Sequence, residues 1–399
     1  AVCVARSLRC LLFMQMVALM QNPRLALRSL FSRTAALCYN YSMALATTSF
    51  IRLGKRIAYI KHKTNIGVLF TPTRDGSTDL YLIDSGNDER IARDIYELLQ
   101  TVFGERIRIV AVLTTHSHAD HCGGSGFFVT KTGAELWATA GEAALMSMPS
   151  LEGAILWGAR ALPELRSPYY VAPELHVDRV LAAGETVALF ASDAGVSANV
   201  PPAIATGAAL PAATSASLTA RVYSLPGHYL DMAGFLIHDA ETGERVYFLS
   251  DGISGRDVIK RYWIQYLFDE RAFKQTLLHI PDVSADWYVP GHGEAARDAE
   301  SLAELNLLAV LETERLILDI LKAGALTTEE LLQQVADRND IPMQVQQFVL
   351  IGSTLRSYLA SMYEEGVVTC RVSDNRLLWE RVVTNDKIND TPVERREGV

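Results

Sequence analysis

The chain has 399 residues, 49% apolar and 21% charged, with a net charge of −9, enough for two domains or for one large domain and a small one. Its five cysteines (Cys3, Cys10, Cys38, Cys122, Cys370) make no CxxC pair and no even framework, which argues against a disulfide scaffold and for a reducing compartment. Charge is divided along the chain: residues 1–74 carry eleven Lys/Arg and no acid, while the remaining 325 hold 26 bases against 46 acids, a net of −20 that argues against nucleic acid as a partner.

In chain order, the first feature is Leu11–Met20 (LLFMQMVALM), apolar but too short to span a bilayer. An acid-free stretch rich in Arg, Leu, Ala and Ser fits an organellar transit peptide, which would place the protein in an organellar matrix. The plainer reading starts the functional protein near Met43 and leaves it cytoplasmic. Residues 1–49 are therefore set aside as an N-terminal extension.

From about Phe50 the pattern is that of a folded α/β domain. Ile57–Lys61, Gly67–Thr71 and Leu80–Asp84 read as strands. Glu89–Val102 has apolar residues at helical spacing (Ile91, Ile95, Leu98, Leu99, Val102), and Ile107–Thr114 is a strand again. Ala140–Ala172 is expected to be largely helical and Val180–Leu189 to resume β patterning. Ser192–Ser217, dominated by Ala, Pro, Ser, Thr and Gly, reads as a long loop. Strands follow near Ala220–Leu225, Gly234–His238 and Val246–Ser250, then helical material over Gly255–Ile280 and a short strand at Trp287–Pro290. Beyond residue 297 the period is helical: Ala299–Leu321, Thr328–Ala336 with an N-cap at its start, and Pro342–Glu365, expected to break near Gly352. Val367–Cys370 and Leu377–Val382 flank Ser-Asp-Asn, a hairpin signal. Three helices and a hairpin make a winged-helix pattern. The expected division is a catalytic domain over 50–297, a winged-helix-like domain over 298–385 and a polar tail over 386–399.

The chemistry concentrates after the strand ending at Thr114, where TTHSHADHCGG places His116, His118, Asp120 and His121 within six residues. Two histidines at i, i+2 on a loop can turn both rings toward one metal ion, and Asp120 and His121 fall on the next bend, within reach of a second. Imidazole with carboxylate suits zinc or another first-row metal. His228 (Ser-Leu-Pro-Gly-His), Asp251 (Tyr-Phe-Leu-Ser-Asp) and His292 (Val-Pro-Gly-His-Gly) each follow a predicted strand, where ligand sites of α/β sheets tend to lie. His62, His176, His238 and His279 read as ordinary surface or cap residues. Cys122 is expected to point into packing.

These motifs, in this order, resemble the metallo-β-lactamase superfamily, and within it the glyoxalase II-like dinuclear hydrolases, over roughly residues 50–295. The resemblance implies a four-layered αββα sandwich and two divalent metal ions, zinc foremost, with iron or manganese as alternatives. It implies that His116, His118 and His228 hold one ion, that Asp120, His121 and His292 hold the other, and that Asp251 bridges them together with a hydroxide. Asp120 and Asp251 are then the catalytic carboxylates. Asn65 and Asp84 match positions that support the site. Ser117 stands where flavo-diiron relatives carry glutamate, and Asp251 where class B1 β-lactamases carry cysteine, so neither activity is expected.

The substrate is less legible. Met146–Trp157 and the aromatic run Tyr262, Trp263, Tyr266 and Phe268 are the candidate walls of an acyl pocket, with Tyr262 and Trp263 as candidate substrate contacts against a plain helix-packing alternative. Residues 299–399 carry 17 acids and 10 bases, whereas a nucleic-acid winged helix presents a basic helix. A packing or homodimer module is expected instead. The favoured function is hydrolysis of a small ester, thioester or lactone. The alternatives are a ribonuclease or phosphodiesterase of the same fold, a mononuclear-iron persulfide dioxygenase, and a non-catalytic scaffold.

Overall fold

The computed structural model describes residues 49–190, 218–261 and 263–382. The leader read over 1–42, the loop read over 192–217, the polar tail and Tyr262 lie outside the described residues.

Four antiparallel strands open the first sheet: β1 (Ser49–Arg52), β2 (Ile57–Lys61), β3 (Ile66–Pro72) and β4 (Thr78–Ile83). Helix α1 (Glu89–Phe103) follows. Asp88 caps it by accepting from Ile91 N, Ile91, Ile95 and Leu99 bury its apolar stripe, and Gly104 ends it at φ 89°. Then come β5 (Ile107–Leu113), the single turn α2 (Ala119–Cys122), α3 (Ser125–Thr132), β6 (Glu135–Thr139), α4 (Ala140–Ser147), α5 (Ser150–Trp157) and β7 (Arg179–Leu181). The seven strands lie in sequence order, the last three added in parallel.

The second sheet is built from β8 (Thr186–Leu189), β9 (Leu218–Ser224), β10 (Ala233–Asp239) and β11 (Arg245–Ser250), all antiparallel. After α6 (Arg256–Ile259) and α7 (Glu270–His279), β12 (Trp287–Pro290) adds in parallel beside β11. The two sheets press face to face through Tyr59, Leu69, Ile83 and Leu113 of one and Val222, Phe235, Phe248 and Val289 of the other. Such interiors are close-packed, and truncating a residue like Phe235 to alanine costs about 3–5 kcal/mol. The outer face of the first sheet is covered by α1 and α3.

The outer face of the second sheet is covered largely from the C-terminus, by α8 (Ala299–Leu321), α9 (Thr328–Arg338), α10 (Val345–Glu364) and the hairpin β13 (Val368–Ser373) to β14 (Arg376–Arg381). Leu225, Tyr247 and Leu249 of the sheet domain share one continuous core with Ile317, Leu355 and Tyr358. Lys274 on α7 also binds Glu314 on α8 at 2.6 Å and Glu365 just past α10 at 3.1 Å. The layers thus run helix, sheet, sheet, helix, and the C-terminal helices complete the last one.

The structure departs from the expected elements in places that have physical causes. Ala140–Ala172 is not one helical stretch: Gly158 at φ 77° ends α5, and beyond it Pro163, Pro168 and Pro173 allow only a short 3-10 turn. Gly255–Ile280 splits because the backbone between Trp263 and Asp269 bonds outward. Leu267 N reaches Thr354 Oγ1 on α10, and Phe268 N reaches His228 O. Helix α10 runs unbroken through Gly352, where a Cβ would lie 3.3 Å from Leu332; the glycine serves close helix approach there. Strands β1 and β6 have no counterpart among the expected strands. The hairpin turn falls on Asp374-Asn375, both at positive φ.

Candidate metal centre

The seven residues singled out from the sequence all lie where strands stop. The chain leaves β5 and reaches His116 and His118, and α2 carries Asp120 and His121. His228 lies in the β9–β10 connection, Asp251 directly follows β11 and His292 follows β12. Parallel pairing of Ser250 with Pro290 brings the last two side by side. The local backbone is forced: Asp84 and Ser250 sit at φ 64° and 49°, which non-glycine residues adopt only where surroundings compel it. At Gly291 a Cβ would lie 2.0 Å from Asp251 Oδ1, so only glycine lets that strand end approach the site.

Three groups of donor atoms result, each with its atoms within 4.8 Å of one another and each able to hold a metal ion: His116, His118 and His228; His116, His121 and Asp251; and Asp120, His121 and His292. In the first, His118 Nδ1 lies 2.9 Å from His116 Nε2 and 3.1 Å from His228 Nε2. In the last, His292 Nε2 lies 3.3 Å from Asp120 Oδ2 and His121 Nε2 lies 3.6 Å from it. Asp251 stands between. Its Oδ1 is 3.5 Å from His121 Nε2, and its Oδ2 is 3.4 Å from His228 Nε2 and 3.3 Å from His292 Nε2.

Four of the five rings are held from behind. Asp84 Oδ2 stands 2.8 Å from His121 Nδ1, Thr115 Oγ1 3.2 Å from His116 Nδ1, the Tyr266 carbonyl 3.0 Å from His228 Nδ1 and the Lys63 carbonyl 2.6 Å from His292 Nδ1. These contacts fix Nε2 of four histidines inward. Thr64 Oγ1 donates to Asp120 Oδ2 at 3.0 Å, and Thr115 N and Oγ1 both donate to Asp84. Asn65 Nδ2 donates to the carbonyls of Pro290 and Gly293, bracing the loop that carries His292.

The donor set fits cations. His121 Nε2 and Asp251 Oδ1 are buried without a hydrogen-bond partner, an arrangement that costs about 1–3 kcal/mol each unless a ligand satisfies them. Burial, aided by repulsion among the rings, pushes His118 down to about 3 and His116 well below the usual imidazole range, leaving free lone pairs. At His121 burial is outweighed by Asp120, Asp251 and Asp84, which raise it to about 10, and Asp251 and Asp120 likewise raise His292. Positive charge is thus favoured at the carboxylate end, and a metal ion would supply it without protons. Imidazole and carboxylate together suit zinc and other first-row divalent ions.

The remaining expectations divide. Cys122 is fully buried, its thiol 3.2 Å from the Ser117 carbonyl and pushed up by burial. His62, His176, His238 and His279 join none of the three groups. Trp263 lines a cavity of about 560 Å³ with Glu312, Leu316 and Asn339 of α8 and the α9 end, a lining that includes none of the seven donors. Of that aromatic run it is Tyr266 that stands beside them, its ring centroid 5.6 Å from those of both His118 and His228. Sequence reading passed over Glu142, which accepts from the amides of Ser117 and Asp231, and Glu152, which faces His118. Both lie in apolar helices with no motif around them; an acid in such a run was the available signal.

Residues 64–216 match the metallo-β-lactamase superfamily model. Over that stretch the chain is similar to that superfamily. No curated protein matches it in sequence. Among solved structures, a β-lactamase domain protein from Burkholderia ambifaria is similar at 16% identity and a TM-score of 0.59, covering 84% of this chain and 94% of its own. A metallo-β-lactamase family protein from Thermus thermophilus is similar at 18% identity and a TM-score of 0.56, covering 84% and 99%. Residues before 298 make up about three-quarters of the chain, so an 84% cover reaches into the C-terminal helices: the likeness in fold extends beyond the sandwich. Among the described residues no helix is long and apolar enough to cross a membrane.

Proposed function

We propose that this protein is a dinuclear metal-dependent hydrolase acting on a small ester, thioester or lactone. The observation that carries the reading is the placement of Asp251, whose two carboxylate oxygens face His121 on one side and His228 and His292 on the other, with Oδ1 buried and unpartnered. On this reading His116, His118 and His228 would hold one ion and Asp120, His121 and His292 a second, with Asp251 placed between the two sets. Bound there, two divalent ions, zinc foremost, would supply a water acidified toward neutrality and a Lewis acid for the substrate oxygen.

The chain's own residues do the rest. Asp251 balances charge between the two donor groups and fixes their spacing. Asp120, anchored by Thr64, stands at the more open edge of the site with its side chain 35% exposed, placed to orient the attacking water and accept its proton. Tyr266 sets a partly exposed aromatic ring beside the histidine end, which favours an acyl group over a charged one. On the C-terminal helices and hairpin Arg356 pairs with Glu329 and Arg376 with Glu330, which supports the C-terminal region, whose elements follow a winged-helix pattern, as a packing module and not an RNA platform.

The test is metal analysis beside a panel of thioesters, lactones, phosphodiesters and RNA. Two metals per chain and turnover of an acyl substrate, lost in Asp120→Ala, are expected. Fewer than about one metal for every two chains would end the dinuclear reading, and RNA cleavage without ester turnover would replace the substrate class with a nuclease.

A further inference from the structure

We propose that Glu152 is the positioning residue for His118, fixing which ring nitrogen faces the metal site and tying His118 to His228 through Tyr229. The proposal rests on the reading that the seven donors hold metal ions.

Four of the five histidines at the centre turn Nε2 inward because something behind them takes Nδ1. His118 is the exception: its Nδ1 faces His116 and His228, so its Nε2 needs a partner on the outer side. Glu152 Oε1 is there at 3.3 Å. A carboxyl oxygen at that point favours the proton on Nε2 and so leaves the Nδ1 lone pair free for a cation. The other oxygen, Oε2, accepts from the Tyr229 hydroxyl. Tyr229 is the residue after His228, is 1% exposed, and sets its ring 4.3 Å from that of His118. One carboxyl group therefore joins two histidines of the same donor group that lie 110 residues apart in sequence.

The location of Glu152 strengthens the argument. It is buried in α5, whose sequence SLEGAILW is otherwise apolar or small, and a carboxyl in such a run is costly unless its partners repay the lost hydration. Among the described residues its oxygens face His118 Nε2 and the Tyr229 hydroxyl. The helix is seated on the C-terminal region, with Leu156 packed against Leu165 and Val349 of α10. The C-terminal helices thereby support the support of the metal site.

The test compares Glu152→Ala, Glu152→Gln and Tyr229→Phe in the full chain, read by zinc affinity under chelator competition and by the visible spectrum of the cobalt-loaded protein. Glutamine keeps an acceptor for His118 Nε2 and a polar partner for Tyr229, so it should stay within about threefold of the parent, whereas alanine should weaken one of two metals by about 10–100-fold. Alanine affinity equal to the parent at both positions, or glutamine failing as badly as alanine, overturns the proposal. If the alanine variant does not fold, Tyr229→Phe decides: a shifted cobalt spectrum with an unchanged melting temperature supports the role, and a spectrum and affinity identical to the parent reject it. A parent protein that binds no divalent metal would overturn the underlying metal reading as well; a parent that binds two, with an alanine variant that binds them equally well, overturns only the role of Glu152.

Discussion

The two ends of the donor cluster are built on opposite electrostatic plans. His116, His118 and His228 form an end of imidazoles alone, enclosed and held neutral by burial. Asp120, His121 and His292 form an end where carboxylates dominate, raising the histidines and leaving Asp120 and His292 the more exposed side chains, at 35% and 27%. A neutral, preformed nest takes a cation with little rearrangement of protons. A charged and more open end would have to exchange protons for its cation. Asp251 belongs to both.

Removing the shared group should therefore do the most damage. Asp251→Ala is expected to lower kcat/KM by about 10³-fold or more, because several kcal/mol of charge stabilisation at both ends depends on it. It should also lower metal content at both positions. A variant that keeps two metals and a tenth of the activity would show that the two ends are independent. The next contrast is between ends. His116→Ala should release the ion of the enclosed end, and His292→Ala only that of the open end, each with a loss of about 10²-fold. Equal loss of both ions from either variant, measured by metal analysis after dialysis, would erase the distinction.

The protons give a third, finer contrast. In the metal-free protein His121 is held near 10 by its carboxylates, so at neutral pH it carries a proton that a cation must expel. His118, pushed down to about 3, carries none. Affinity at the carboxylate end should therefore rise with pH, by up to about tenfold per pH unit for each proton expelled, until pH passes the raised value. Affinity at the imidazole end should stay flat between about pH 6 and 9. Titration calorimetry in buffers of differing ionisation enthalpy counts the protons, and a release of none on filling the second position would contradict the assignment.

How much of this was legible beforehand follows from where each signal resides. The donors could be read because strand patterns and short-range spacing are local: IRIVAVL runs into His116, and YFLS into Asp251. Asn65 and Asp84 could be placed as supports only through the family resemblance; Asn65 Nδ2 donates to the carbonyls of Pro290 and Gly293, and Asp84 Oδ2 stands 2.8 Å from His121 Nδ1. What could not be read is non-local. The break between α6 and α7 depends on Leu267 bonding to Thr354, 87 residues away. The edge strand β1 is too short to register, and β6 carries an indole and an acid that blur its alternation. Glu142 and Glu152 matter through contacts to Ser117 and His118 that no spacing announces. The continuous core between sheet and C-terminal helices is likewise invisible in a pattern that suggests a separate small domain.

The smallest effect should come from Thr64, and it sharpens the comparison because it touches one end only. Its hydroxyl donates to Asp120 Oδ2, at the carboxylate end, at 3.0 Å. A net hydrogen bond of this kind is worth about 0.5–1.5 kcal/mol, so Thr64→Ala should lower kcat roughly 2–10-fold. Thr64→Ser keeps the hydroxyl and should recover most of that loss. Metal content should hold at two, since Asp120 keeps its neighbours His121 and His292. If Thr64→Ala instead sheds a metal, the hydroxyl is holding the ligand set together and not merely aiming the carboxylate; if it changes nothing, Asp120 is oriented by its cation and neighbouring rings alone, and the open end is more rigid than its exposure implies.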